Sequence, residues 1–98
     1  MRIIILGAGK VGKTLTQHLV EEDHDITIID LNSDKVESIV DQYDVFGVNG
    51  NGASFEILQE AGVEETDVII SVTASDELNI LAGLMAKKMG TKYSIARV

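Results

Sequence analysis

Short β-branched runs alternate with segments of helical periodicity along the whole chain of 98 residues. The runs are typical of strands that a sheet buries on both faces, and the segments between them repeat apolar residues every three or four positions. Such alternation requires right-handed crossover connections, and therefore parallel strands covered by helices. The sequence predicts an α/β fold, a doubly wound parallel sheet of about five strands with helices on both sides.

The predicted strands lie at residues 3–6, 26–29, 45–48, 68–72 and 94–98, and the predicted helices at 11–20, 33–42, a short segment around 55–58, and 75–89. Ser33 and Ser75 are the predicted N-caps of the second and fourth helices, because their hydroxyl groups accept hydrogen bonds from a helix's first turn. Gly62 and Gly90 are the predicted stops of the third and fourth helices.

No proline, linker or low-complexity tract interrupts the sequence. Residues 1–98 are therefore predicted to form one domain. The chain stops at its fifth predicted strand, which leaves that strand without a following helix. This ending predicts a truncated fragment of a longer domain.

The composition limits the classes of partner. The formal net charge is −8, which repels phosphate backbones and anionic lipid, so neither nucleic acid nor a membrane surface is an expected partner. The apolar run Ile3–Leu6 is too short for a signal segment or a membrane span, so no membrane insertion is expected. The lack of cysteine excludes disulfides and thiolate metal sites and is consistent with a reducing compartment.

The loop GAGKVGKT, which follows the first strand, fits two phosphate-binding patterns. Gly7, Gly9 and Gly12 fit the dinucleotide fingerprint G-x-G-x-x-G of Rossmann-like sheets. Gly7, Gly12, Lys13 and Thr14 fit the P-loop pattern, in which the lysine contacts phosphates and the hydroxyl contacts Mg²⁺. The two patterns predict different ligands, a dinucleotide or a magnesium nucleoside triphosphate.

The end of the second strand favours the dinucleotide. That interpretation predicts an acidic residue about 20 residues beyond the loop, where it binds the ribose hydroxyls, and Asp30 lies there. A carboxylate at this position repels a 2′-phosphate, which favours NAD or ATP over NADP. Asp30 could instead support a metal in a P-loop or form an Asx turn. In the dinucleotide interpretation Lys13 is a solvated surface lysine.

Loops after the third and fourth strands offer further contacts, because ligands of open α/β sheets bind at the carboxyl ends of strands. Residues 49–54 could shape an adenine pocket or form only a flexible turn. Thr73 and Ser75 could reach ribose or phosphate, although an N-cap is the simpler role for Ser75. Arg97 is a candidate for contact with a phosphate, a carboxylate or a partner subunit.

The sequence predicts no catalytic residue and no metal site. His18 and His24 lie on or just after the first helix, where they are expected at the surface. Tyr43 and Tyr93 lack a lysine four positions later, so the tyrosine–lysine pair of short-chain reductases is absent. A dinucleotide fold without a proton donor is expected to be a sensor, not an enzyme.

Several motifs together resemble a known family: RIIILGAGKVGKTL, ITIIDLNSDKV, VNGNGASFEILQEAGVEETDVIISVTASDELNILAGLMAK and IARV. In this order they resemble the N-terminal nucleotide-binding domain of TrkA-type potassium uptake regulators, also called the RCK or KTN domain. The more specific parts are the element at residues 50–54, the Ala61–Gly62 pair, the V-T-x-x-D-E-x-N run and the closing A-R-V.

The resemblance implies a cytoplasmic regulatory subunit at the inner face of the membrane, assembled as a homodimer or higher ring beneath a potassium-translocating membrane protein. Exchange of NAD or NADH, or of ATP against ADP, would gate transport, with helix 75–89 in the subunit contact. Lys10 would supply charge toward a terminal phosphate, without the planar fork of arginine. The cofactor-binding residues implied are Gly7, Ala8, Gly9, Lys10, Val11, Gly12, Asp30, Leu31, Asn51, Gly52, Ala53, Thr73 and Arg97.

Two other classes of protein remain compatible with the sequence. The chain could be the cofactor-binding domain of an NAD-dependent dehydrogenase or of a saccharopine-reductase-like protein. It could also be a small nucleotide hydrolase, which Mg²⁺-dependent phosphate release would reveal.

Overall fold

A computed structural model describes residues 1–97. Five strands and four α-helices alternate along these residues, as the sequence predicted. Their bounds are β1 Arg2–Leu6, α1 Lys10–Glu21, β2 Asp25–Asp30, α2 Ser33–Gln42, β3 Phe46–Asn49, α3 Phe55–Glu60, β4 Val68–Ser71, α4 Asp76–Met89 and β5 Tyr93–Ala96, with a 3₁₀ turn at Val63–Glu65.

The five strands form one parallel sheet in the order β3-β2-β1-β4-β5. The chain runs outward from β1 to β3 and then returns to the other side of β1 with β4. This confirms the doubly wound, Rossmann-like fold. All strands are parallel, but the order in which the chain adds them changes direction between β1 and β4. Ligands of such sheets bind at this point, outside the carboxyl ends of the strands.

Helices cover both faces of the sheet at its centre, so β1 is buried on each side. Ile3 and Ile5 point toward α1 and α2, and Ile4 and Leu6 point toward α3 and α4. All four side chains are at most 4% exposed. Burial on both faces is the physical reason why β1 reads as a continuous apolar run. Within residues 1–97, no helix combines the length and apolarity needed to cross a bilayer.

Several predicted boundaries differ from the structure. Ser33 is the first residue of α2, and its predicted role as N-cap is wrong. Asn32 caps the helix instead, with Oδ1 accepting from the N–H groups of Asp34 at 3.0 Å and Lys35 at 3.2 Å. The extended backbone of Asn32 makes this possible.

Strand ends also shift by one or two residues. β3 begins at Phe46 and includes Asn49, β4 ends at Ser71, and β5 begins at Tyr93. The prediction for Val98 lies outside the described residues. The predicted glycine stops are confirmed, since both Gly62 and Gly90 have positive φ angles, of 81° and 127°.

Helix α4 packs its small residues inward. Its buried residues are Asn79, Ala82, Gly83 and Ala86. A methyl group at position 83 would collide with the Ser94 hydroxyl of β5, so the helix and the strand approach closely only because glycine lies there. Three of its large residues, Ile80, Leu81 and Leu84, are 46%, 51% and 59% exposed, whereas Leu78, Met85 and Met89 are half-buried against the core.

Asp67 connects β1, β4 and β5 at the amino-terminal edge of the sheet. Its carboxylate accepts from the N–H of Arg2 at 2.9 Å, and its carbonyl accepts from the N–H of Tyr93 at 3.0 Å. Lys92 Nζ lies 3.6 Å from Asp67 Oδ1. The hydrogen bond from Arg2 lowers the pKa of the Asp67 carboxyl below its ordinary 3.8, helped by the Lys92 charge and opposed by partial burial.

We expect Asp67→Asn to lower the melting temperature at neutral pH, because it removes the charge that accepts the Arg2 hydrogen bond. A depressed pKa contributes stability above the unfolded value of 3.8 and loses it as pH falls through the folded value. The difference from wild type should therefore shrink at acid pH. Circular dichroism melts across this range test it, with Asp41→Asn on α2 as the control. A pH-independent difference would contradict the prediction.

Candidate functional site

The loops after β1 and β4 meet at the reversal point of the sheet, the place between these two strands where the strand order changes direction. Gly7 ends β1 with a φ of 117°, a conformation that side chains rarely adopt. A Cβ at Gly7 would lie 3.1 Å from the N of Thr73 and from the carbonyl of Val72. Glycine is therefore needed here both for its backbone conformation and for the space it leaves.

The other two glycines of the loop have different surroundings. A Cβ on Gly12 would collide with the carbonyl oxygen of Gly7, so α1 packs directly against the end of β1. A Cβ on Gly9 would meet nothing within 4 Å. In the dinucleotide fingerprint the third glycine allows close packing of helix on strand, and the second leaves space for pyrophosphate.

Lys13 and Thr14 lie at the surface of α1. Lys13 is exposed on the first turns of α1. The Thr14 hydroxyl is also exposed and donates to the carbonyl oxygen of Lys10 within the helix at 3.0 Å. Lys13 is therefore a solvated surface lysine, as the dinucleotide interpretation expects.

The amino terminus of α1 differs from those of α2, α3 and α4. Gly9 provides no side-chain cap, and the first turn contains no acidic residue. The other three α-helices are capped by Asn32, Ser54 or Ser75, and each has an acidic residue in its first turn. Uncapped N–H groups and the helix dipole attract anions, so α1 offers a local positive site in a domain of net charge −8.

Asp30 connects the end of β2 to the glycine loop. Its Oδ2 accepts from the N–H of Ala8 at 2.7 Å, and its Oδ1 accepts from the N–H of Asn32 at 2.8 Å. The hydrogen bond from Asn32 forms an Asx turn, which was one of the alternative roles given for Asp30 from the sequence. A carboxylate has about four acceptor positions, so this half-buried group retains capacity for ribose hydroxyls.

A cavity of about 220 Å³ lies beside Asp30. Four predicted site residues line it, namely Asp30, Leu31, Gly52 and Thr73. Gly50 and Ser75, which the sequence offered as alternatives, also line it, together with three residues that the prediction did not include, namely Leu6, Ala74 and Leu78. Its surface is mainly apolar, which suits a flat heteroaromatic ring. Side chains at Gly50 or Gly52 would collide with Ile57 or Leu6, so these glycines keep the loop close to the sheet.

The other predicted residues do not line this cavity. Asn51 and Ala53 form an Asx turn, with the N–H of Ala53 donating to Asn51 Oδ1 at 2.8 Å. Lys10 and Val11 are exposed at the start of α1, and Arg97 is exposed beyond β5. A larger groove of about 480 Å³ opens at the amino-terminal edge of the sheet, the end opposite to the glycine loop.

The Thr73 hydroxyl, a predicted ligand group, already has partners within its own loop. It donates to Asn79 Oδ1 at 2.6 Å and accepts from the N–H of Ser75 at 3.1 Å. Sequence reasoning included Asn79 in a motif but gave it no role. The available signal was its spacing of three and seven residues from Ala82 and Ala86, which puts a polar residue on the buried stripe of α4.

The matching family model is the TrkA-N domain, over residues 3–98. The chain belongs to this family. It is 47% identical over 98 residues to the Trk system potassium uptake protein TrkA homolog of Archaeoglobus fulgidus, and 43% identical over 99 residues to TrkA of Vibrio alginolyticus. Each alignment covers 100% of this chain and 22% of the relative, so the chain spans about a fifth of their length.

Solved structures of similar fold include the GsuK channel bound to NAD, with a TM-score of 0.79, 22% identity, and coverage of 95% of this chain and 17% of that chain. A short-chain dehydrogenase/reductase from Veillonella parvula in complex with NADP also matches, with a TM-score of 0.74, 21% identity, and coverage of 95% and 45%. Both likenesses support the fold.

Substitution of single glycines should distinguish a glycine that packs against backbone from one that faces open space. We expect Gly12→Ala to lower the free energy of unfolding by about 3 kcal/mol, the upper range for overpacking, because the methyl collides with backbone. Gly9→Ala should change it by less than about 0.5 kcal/mol, as for an unhindered surface position. Urea unfolding measures both. Equal losses in the two variants would contradict the assigned packing.

Proposed function

We propose that this domain binds NAD or NADH at the reversal point of the sheet, and that its occupancy regulates a membrane potassium uptake transporter. ATP or ADP is the alternative ligand. One observation carries the proposal: the uncapped start of α1, the Asp30 carboxylate and the apolar cavity lie around one crevice. An anion site, a sugar-binding acid and a ring pocket are the parts that an adenine dinucleotide requires.

The chain's own groups suit each part of the ligand. Backbone N–H groups at the start of α1 would bind the pyrophosphate, with Lys10 adding positive charge. Asp30 would accept hydrogen bonds from ribose hydroxyls and repel a 2′-phosphate. The adenine would enter the cavity between Leu31 and Leu78, with residues 51–53 at its border and Thr73 and Arg97 toward the outer part of the site.

Regulation of transport is the role that the relatives support. Two curated relatives are named as Trk system potassium uptake proteins, and this chain matches 22% of each. We infer a cytoplasmic domain that acts on a membrane potassium transporter subunit through changes in its own assembly. A ligand shifts such an assembly only as far as it binds one arrangement more tightly than another.

The exposed side of α4 is the candidate contact between copies of the chain. Ile80, Leu81 and Leu84 are 46–59% exposed. They lie within one turn of each other on the side of the helix away from the sheet. An exposed apolar surface of this kind favours association, and a homodimer is the smallest assembly that would cover it.

Calorimetric titration tests the ligand. We expect NADH to bind without Mg²⁺ and about tenfold more tightly than NADPH. Hydrogen bonds to a charged carboxylate are worth about 1.5–3 kcal/mol, and the 2′-phosphate of NADPH replaces the hydroxyl that would donate one to Asp30. Gly9→Ala should weaken NADH binding about tenfold or more, because the added methyl group would occupy the space for the pyrophosphate. Lys13→Ala is the matched control and should bind normally. Binding that requires Mg²⁺ and is lost in Lys13→Ala would support a P-loop instead.

Light scattering tests the α4 contact. We expect a dimer at high protein concentration, and Leu84→Glu should weaken it at least tenfold, since burial of a leucine is worth about 1.5–3 kcal/mol. Phe55→Glu replaces an equally exposed residue on α3 and is the control. A wild-type chain that remains monomeric with and without NADH would contradict this assignment.

A further inference from the structure

The side chain of Asn79 connects helix α4 to the ends of two strands. It is fully buried. Its Oδ1 accepts from the N–H of Thr73 at 2.9 Å and from the Thr73 hydroxyl at 2.6 Å. Its Nδ2 donates to the carbonyl oxygens of Thr73 at 3.1 Å and Arg97 at 3.0 Å. A carboxamide has two donor hydrogens and two acceptor lone pairs, so all of its hydrogen-bonding capacity is used inside the protein.

This amide lies between the candidate ligand crevice and the outer surface of α4. On one side it holds Thr73 by hydrogen bonds. Thr73 lies close to the glycine loop, because a Cβ added to Gly7 would be only 3.1 Å from the Thr73 N. On the other side it belongs to α4, where the next residues along the chain, Ile80 and Leu81, are 46% and 51% exposed. We propose that Asn79 is a positioning residue that transmits nucleotide occupancy of the crevice to α4. The inference rests on the proposed function.

Hydrogen-bond energetics explain why the connection is stiff. A buried amide that loses a partner retains its full desolvation cost, so the four bonds of Asn79 favour one arrangement of the loop, the strand end and the helix. A ligand that moves the Thr73 backbone must break these bonds or move α4 with it. Coupling between sites travels through such packed and hydrogen-bonded groups.

Asn79→Asp tests the connection at nearly constant volume. It keeps the acceptor toward Thr73 but replaces the donor by an oxygen that faces the carbonyls of Thr73 and Arg97. Asn49→Asp is the control for the chemical change: Asn49 is exposed, and comparison at equal fractional saturation removes any effect of this variant on NADH affinity. Asn49 Nδ2 donates to the carbonyls of Asp30 and Leu31, each at 2.9 Å, so the same chemical change occurs across the crevice from α4.

Hydrogen exchange at equal fractional NADH saturation provides the readout, with β1 peptides as the internal reference for global stabilisation. We expect NADH to slow exchange in α4 of the wild type about fivefold more than in β1, the lower range of ordinary allosteric coupling. Asn79→Asp should reduce that excess to less than about twofold, and Asn49→Asp should retain it. If Asn79→Asp does not fold, Thr73→Val decides. It removes the hydroxyl's hydrogen bond to Asn79 and the one that the hydroxyl accepts from the Ser75 N–H, but it keeps the bonds between the backbone of residue 73 and the side chain of residue 79, so it should reduce the excess in part.

Two results would overturn the inference while leaving the proposed function intact. One is calorimetric NADH binding to the wild type without excess protection of α4. The other is full excess protection in Asn79→Asp, or in Thr73→Val where that variant decides. No binding of NADH, ADP or ATP to the wild type would instead remove the proposed function, and the inference with it.

Discussion

The contact between Gly12 and the carbonyl oxygen of Gly7 is the constraint on which the site depends. No side chain fits between them, so the first turns of α1 lie directly against the end of β1. This fixes the direction of α1, whose uncapped amino terminus opens at the reversal point of the sheet. The proposed anion site would thereby be built from backbone alone, which is how a domain of net charge −8 could still offer one.

Asp30 extends the same constraint to the neighbouring strand. Its bond to the N–H of Ala8 ties the glycine loop to the end of β2, and its bond to the N–H of Asn32 fixes the start of α2. The carboxylate is therefore oriented before any ligand arrives. Preorganisation of this kind lowers the cost of binding, because the loop need not be ordered at that moment.

Periodicity predicted the order and type of the elements because the central strands β1, β2 and β4 are largely buried on both faces and each helix on one. The close packing at Gly12 and the open space at Gly9 were also predictable, since the fingerprint spacing encodes backbone geometry. The Asn32 cap was missed because an adjacent serine is an equally good cap by propensity. The lining of the cavity by Leu6 and Leu78 was missed for a different reason: it depends on how loops fold over the sheet, which no local pattern specifies.

Helix α4 shows where apolar periodicity fails as a guide to burial. Three of its large side chains, Leu78, Met85 and Met89, pack against the core, but the fully buried positions hold only Asn79, two alanines and Gly83, because β5 lies so close to the helix. The close approach brings the Asn79 amide within hydrogen-bonding distance of both strand ends, and it turns Ile80, Leu81 and Leu84 outward. One packing choice thus creates a polar link to the crevice and an apolar outer surface on the same helix. A domain that senses a nucleotide and reports it to a partner needs both.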